Sequence, residues 1–187
     1  MKLKDHLLSI VDFSEDELCQ IISNFKIRTL KKGSSLAKLG VVCNTLYFIE
    51  KGVARSYYYN REGKDITAWF FNEGGFMTSV ESFFQQKPSA YHIELLEDCV
   101  LYSVTKVDLE LLFEKYHRME CFGRKLVIKL LGDMMGKLNA IQFQTAKERY
   151  HFMIHEYPDL YYRVPLGHIA SYLGITQETL SRIRGRS

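Results

Sequence analysis

Gln177, Glu178, Thr179, Ser181 and Arg182 stand almost side by side, and their side chains are of the types that read nucleic-acid base edges. A guanidinium can donate two parallel hydrogen bonds to guanine O6 and N7, a carboxylate accepts from cytosine N4, and a primary amide pairs with adenine. Arg184 and Arg186 follow, cations suited to phosphate oxygens, as is the start of the helix that would carry the set. Such groups need a rigid platform that turns them outward, and the stretch 165–184 supplies the residue types for one. Ala170 is small enough for two helices to cross closely. Gly174 tolerates the positive φ of a tight turn, and Thr176 can cap the helix that follows. Ile169, Leu173, Ile175, Leu180 and Ile183 fill the angle between the two helices. This spacing predicts a helix-turn-helix over 166–184 whose second helix enters a major groove. A plain αα-corner would use the same apolar residues but leaves the outward Gln/Glu/Ser/Arg set without a reason. A merely solvated basic tail accounts for Arg182, Arg184 and Arg186 but not for the helix pattern.

Other chemistry finds less support. His151 and His155 lie four apart on one helical face, a metal-binding spacing, but without an obvious third ligand. A cupin-type metalloenzyme would need two close histidines on one strand, and the six histidines offer no such pair. No nucleophile triad or phosphate loop is visible, so no catalytic residue, metal or cofactor is assigned and an enzyme is not expected. The four cysteines (Cys19, Cys43, Cys99, Cys121) are scattered and read as reduced thiols. A net charge of +3 permits a nucleic-acid partner without demanding one. The start lacks the apolar run of a signal peptide, and no uninterrupted apolar stretch reaches about 18 residues, so neither export nor a membrane partner is expected and the protein is placed in the cytoplasm.

The elements ahead of the motif change period twice along the 187 residues. Residues 14–25 predict a helix, with Ser14 and Glu17 at capping-box spacing and Leu18, Ile21, Ile22 and Phe25 on one face. Segments 45–50, 53–59, 66–71, 91–96 and 100–104 are short, rich in β-branched and aromatic residues, and separated by turn signals such as Lys51-Gly52 and Asn60-Arg61-Glu62-Gly63. That rhythm predicts a jelly roll. The helical period returns at 107–116 and in a long helix at about 120–144. There Val127, Leu131, Met134, Leu138 and Ile141 follow a 4-3-4-3 spacing over about two heptads, which fits the seam of a helix pair or the face of a helix packed on its own domain. Leu126, Leu130 and Met135 widen the stripe, so one face can dock on the roll while the seam meets a second subunit. A further helix, 146–157, stops at Pro158. The fold class is α+β, in three parts: a β-roll sensor at 1–118, a dimerisation helix at 119–144 and a helix-turn-helix domain at 145–187.

Helix, β-roll, long helix and terminal helix-turn-helix, in that order, resemble the Crp/Fnr superfamily of transcription regulators over nearly the whole chain. The segment Gln177-Glu-Thr-Leu-Ser-Arg is similar to that family's recognition helix, and the match implies that Glu178 and Arg182 read bases, with Ser181 between them. The resemblance implies a homodimer on palindromic double-stranded DNA, with RNA polymerase as a further candidate partner. Cyclic-nucleotide binders of the family carry a Gly-Glu pair before a short helix and an Arg-Ser or Arg-Thr pair after it. Here Thr78-Ser79 and Pro88-Ser89 stand in those places. A buried phosphate needs a paired cation. Lys87 is no guanidinium fork, and Glu81 would repel an anion. Thr78, Ser79, Glu81, Ser82, Lys87 and Ser89 are therefore read as an effector pocket for a ligand other than cyclic AMP, or for none. A lone Cys19 cannot hold an iron–sulfur cluster, and His92 and His117 read as structural rather than as haem ligands. The sequence stops at Ser187 without the hairpin wing many such regulators carry. That feature supports the alternative of a stand-alone ligand-sensing or interaction module with a vestigial DNA-binding region.

Overall fold

A computed structural model of the chain describes residues 2–185. Arg186, named above as a phosphate contact, lies outside the described residues. Two short helices come first, α1 (Leu3–Ile10) and α2 (Glu15–Ser23). The capping box forms as the spacing requires: Ser14 Oγ accepts from the Glu17 N–H, and the Glu17 carboxylate accepts from the Ser14 N–H at 2.9 Å.

Eight strands follow: β1 (Lys26–Leu30), β2 (Ser35–Ala37), β3 (Thr45–Lys51), β4 (Ala54–Tyr59), β5 (Asp65–Phe71), β6 (Phe76–Met77), β7 (His92–Leu95) and β8 (Cys99–Thr105), with the short helix α3 (Val80–Gln85) between β6 and β7. They make two antiparallel sheets, ordered β1-β8-β3-β6 and β2-β7-β4-β5, which is a jelly roll. Three of these strands and α1 are absent from the sequence reading. β1 is a largely exposed edge strand and β6 has only two residues, so neither shows a half-buried alternation. Leu3 and Leu7, one helical turn apart, are fully buried and hold α1 down.

Strand alternation sorts side chains into layers. Ile49, Ala54, Met77, Ile93, Leu95 and Leu101 fill the space between the two sheets. Leu46, Phe48 and Val104 point out of the first sheet, under α1, α2, α4 (Lys106–Lys115) and the start of α5 (His117–Phe143). Val53, Phe70 and Leu96 belong to the opposite side, and they do not face water. They are covered by the C-terminal helices α6 (Ala146–Glu156), α7 (Leu160–Arg163), α8 (Leu166–Leu173) and α9 (Gln177–Arg184). The unit at 145–187 therefore shares a core with the roll. The boundary expected between residues 118 and 119 falls inside α5, which begins at His117 directly after the Tyr116 cap.

At 27 residues, α5 is about 40 Å long. Met119, Phe122 and Ala140 bury against the rest of the chain, and Leu126 packs beside the first sheet's helices. The seam residues do the opposite. Val127, Leu131, Met134, Leu138 and Ile141 are each 46–59% exposed, and Ile128 and Met135 beside them are 59% and 50% exposed. Gly132 and Gly136 lie in the same stretch, where an added methyl would meet nothing within 4 Å. Among the described residues no helix is long and apolar enough to cross a membrane.

Candidate nucleic-acid interface and its docking on the roll

The turn between α8 and α9 is built as its residue types demand. Gly174 takes φ +67° and ψ 35°, a left-handed conformation. The Ile175 N–H then donates to the Ala170 carbonyl at 3.0 Å and the Gly174 N–H to the Ser171 carbonyl at 3.1 Å, a Schellman ending that consumes two orphan carbonyls. Thr176 Oγ1 accepts from the Thr179 N–H at 3.2 Å and caps α9. Ile169, Ala170, Leu173 and Leu180 are all at most 4% exposed, so the apolar side of the pair is fully used.

Glu178, Ser181, Arg182 and Arg184 are exposed on the other side, and Gln177 is exposed at the helix start. Arg182 donates to Thr179 Oγ1 at 3.2 Å, which holds the guanidinium against the helix surface. The Arg184 guanidinium lies 4.3 Å above the Tyr161 ring. The Gln177 amide folds back over Gly167, where an added methyl would stand 2.7 Å from Nε2. The Glu178 carboxyl is held below the usual carboxylate range by its own backbone N–H and by Thr176, with Lys64 and Arg182 adding smaller attraction. It is an ionised acceptor, the form that receives a hydrogen bond from a base amine.

The expected effector residues divide between the surface and the interior. Glu81 and Lys87 are exposed, while Thr78, Ser79, Ser82 and Ser89 are buried. The buried four satisfy one another and the backbone. Ser82 Oγ accepts from the Cys43 N–H at 2.8 Å and donates to the Lys87 carbonyl at 2.6 Å. Thr78 Oγ1 donates to the Thr45 carbonyl at 3.0 Å, and the Ser79 and Ser89 hydroxyls lie 2.8 Å apart. Among the described residues no group of three or more His, Cys, Asp or Glu is placed to share a metal ion. His151 packs beside Tyr150, and His155 faces Glu156.

Five residues that sequence reasoning did not single out fasten the helix-turn-helix to the roll: Arg55, His168, Ser171, Arg163 and Lys137. Arg55 on β4 is 3% exposed, because alternation turns Ala54 into the roll and Arg55 out of it, under α8. Its Nε donates to Glu94 at 2.7 Å, Nη2 to Asp65 at 2.5 Å, and Nη1 to Thr67 Oγ1 at 3.0 Å. Nη1 also lies 2.8 Å from Nδ1 of His168 on α8. Ser171, one turn on, accepts from the Thr67 N–H at 2.9 Å. Arg163 on α7 reaches the other way, to Glu73 at 2.7 Å and 2.9 Å and to Glu97. Burial works to raise the Glu73 carboxyl, but its bonds from Arg163 and the Gly52 N–H outweigh that and bring it down to about 2. Lys137 on α5 donates to the Ala68 carbonyl and lies 3.9 Å from the Tyr172 ring centre and 5.2 Å from that of Trp69. Burial lowers its amine to about 8.

A double-sheet roll joined by a long helix to an outward-facing helix-turn-helix defines a class of architecture. Comparison with known proteins agrees. Residues 27–116 match the cyclic nucleotide-binding domain. The fumarate and nitrate reduction regulatory protein of Salmonella typhi is 25% identical over 185 residues, covering 91% of this chain and 71% of that protein. Among solved structures, FixK2 from Bradyrhizobium japonicum superposes with a TM-score of 0.72 at 19% identity, over 87% of this chain and 83% of that one. The Thermus thermophilus catabolite activator protein gives 0.61 at 18% identity, over 97% and 85%. In its matched domain, its order of elements and these relatives, the chain is similar to transcription regulators of the Crp/Fnr type.

Proposed function

We propose that this regulator binds palindromic double-stranded DNA as a homodimer, with Glu178 and Arg182 reading base edges and no cyclic nucleotide as effector. The observation that carries the reading is the exposure of Glu178, Ser181 and Arg182 on the outer side of a helix whose inner side is closed by Leu180. Gln177 and Thr179 flank that set, and Thr176 and Arg184 take phosphates, the latter from its place on Tyr161. Two recognition helices meeting successive major grooves must stand about 34 Å apart. The exposed seam Val127, Leu131, Met134, Leu138 and Ile141 supports a paired α5 that would set this distance. A buried anionic phosphate would need a cation at the place now held by mutually bonded hydroxyls, which argues for another effector bound at Thr78, Ser79, Glu81, Ser82, Lys87 and Ser89, or for none. The protein acts as a cytoplasmic regulator rather than an enzyme, with RNA polymerase as its partner on DNA.

Selection of bound duplexes from a random pool, followed by titration of Arg182→Ala, tests the reading. A palindromic consensus should emerge, and the variant should lose about 1–3 kcal/mol on it while relaxing one base position per half-site. Equal loss on all sequences would reduce Arg182 to a phosphate contact. No enrichment at all would leave the module with a vestigial reading head as the better account.

A further inference from the structure

Two guanidiniums hold the reading head on the roll, and their partners differ in kind. Arg163 is met by two carboxylates, Glu73 and Glu97. Arg55 is bound on its own roll by Asp65 and Glu94, but across the interface it meets the imidazole of His168. A guanidinium has only donors, so Nδ1 of His168 must be the acceptor, and the neutral ring carries its proton on Nε2. The contact exists for one protonation state of one ring.

We propose that His168 makes the docking of the helix-turn-helix proton-sensitive: a proton on Nδ1 sets N–H against N–H beside Arg55, and α8 lifts from β5. Every charged group facing the ring bears on the argument. Arg55 on β4 and Lys32 in the turn before β2 disfavour a second positive charge there, while Asp65 on β5 and Glu94 on β7 favour it. Both carboxylates are already taken by Arg55, at 2.5 Å and 2.7 Å. Burial is the largest influence and, with Arg55, keeps the docked ring less basic than the ordinary 6.5. A ring released to water recovers that ordinary value. The released form therefore binds more protons, so docking is full above about pH 6.5 and weakens as the pH falls below it. Release would also free Ser171 from the Thr67 N–H and open the apolar contact of Phe70 with Tyr172. The angle of α9 to the dimer helix would then no longer be set by the sensor.

The chain provides its own reporter. Trp69, its single tryptophan, lies on β5 at this junction. Fluorescence of the full-length protein is followed from pH 7.5 to 5, with circular dichroism as a check on the fold. The wild type should show a reversible red shift of Trp69 emission below pH 6.5 with unchanged secondary structure. His168→Asn, which keeps an acceptor at the Nδ1 position but does not titrate, should stay flat through the range. His6 is also held below its ordinary value, but it lies on α1 among Phe48, Phe76 and Phe122, on the other sheet, so it predicts the same transition in both proteins. A flat wild type, or an identical transition in His168→Asn, overturns the proposal. Should the variant fail to fold, nuclear magnetic resonance of the wild type decides. The single indole N–H signal must move with the same midpoint as the His168 ring, and separate midpoints overturn the proposal equally.

Discussion

Single residues in this protein are constrained by what faces them, and Gly52 shows it most sharply. It takes φ +118°, and a methyl there would stand 2.2 Å from Cys99 Sγ. Its N–H donates to Glu73 at 2.8 Å, so the same residue supports the carboxylate that grips Arg163. Gly52→Ala should destabilise the fold by at least about 2 kcal/mol, from positive-φ strain and overlap together. Urea unfolding would measure this, and a loss under about 0.5 kcal/mol would show that β3 and β4 adjust freely. The turn of the helix-turn-helix was legible in the sequence because its relations are local. Gly174, Thr176 and Leu180 act on neighbours within one or two turns. Arg55 was not legible, since its partners Glu94 and His168 lie 39 and 113 residues away. A cation among strand residues carries no mark of which sheet or helix will receive it.

Among the elements, α5 has the clearest division of labour. Its inner residues Met119, Phe122 and Ala140 are buried, and its seam is bare. Replacing Leu131 and Leu138 together by Glu should leave the monomer's fold intact, since both are exposed in it, and should abolish pairing through the desolvated charges. Sedimentation should then show a monomer where the wild type is a dimer, and circular dichroism should be unchanged. A wild-type protein that is already monomeric at tens of micromolar would remove α5 as the pairing surface. The exposed stripe was visible as a 4-3-4-3 spacing. The missed elements β1, β2 and β6 are an edge strand, a three-residue strand and a two-residue strand, too exposed or too short to show alternation.

At the scale of the whole molecule, the helix-turn-helix is part of the roll's hydrophobic structure, with Phe70 1% exposed beneath it. Glu73 makes that union acid-sensitive in a second range. Its carboxyl, held at about 2, contributes stability that is present above the ordinary value near 4.5 and lost as the pH falls toward 2. Glu73→Gln should lose about 1–2 kcal/mol at pH 6, a figure reduced for the pair's partial exposure, and show a flatter decline below pH 4.5. Chemical unfolding at pH 6 and pH 3 compares the two slopes. Equal slopes would assign the acid response to other carboxylates. The open space around Gly132 and Gly136 bears on how two copies would lie together. Within one chain nothing calls for glycine there, and each weakens a helix by roughly 0.5–1 kcal/mol relative to alanine. If a second backbone approaches at that point, the vacancy is the clearance it needs. Alanine at both positions should then raise the thermal stability of a dissociated chain and lower the association constant, two opposed responses from one pair of methyl groups.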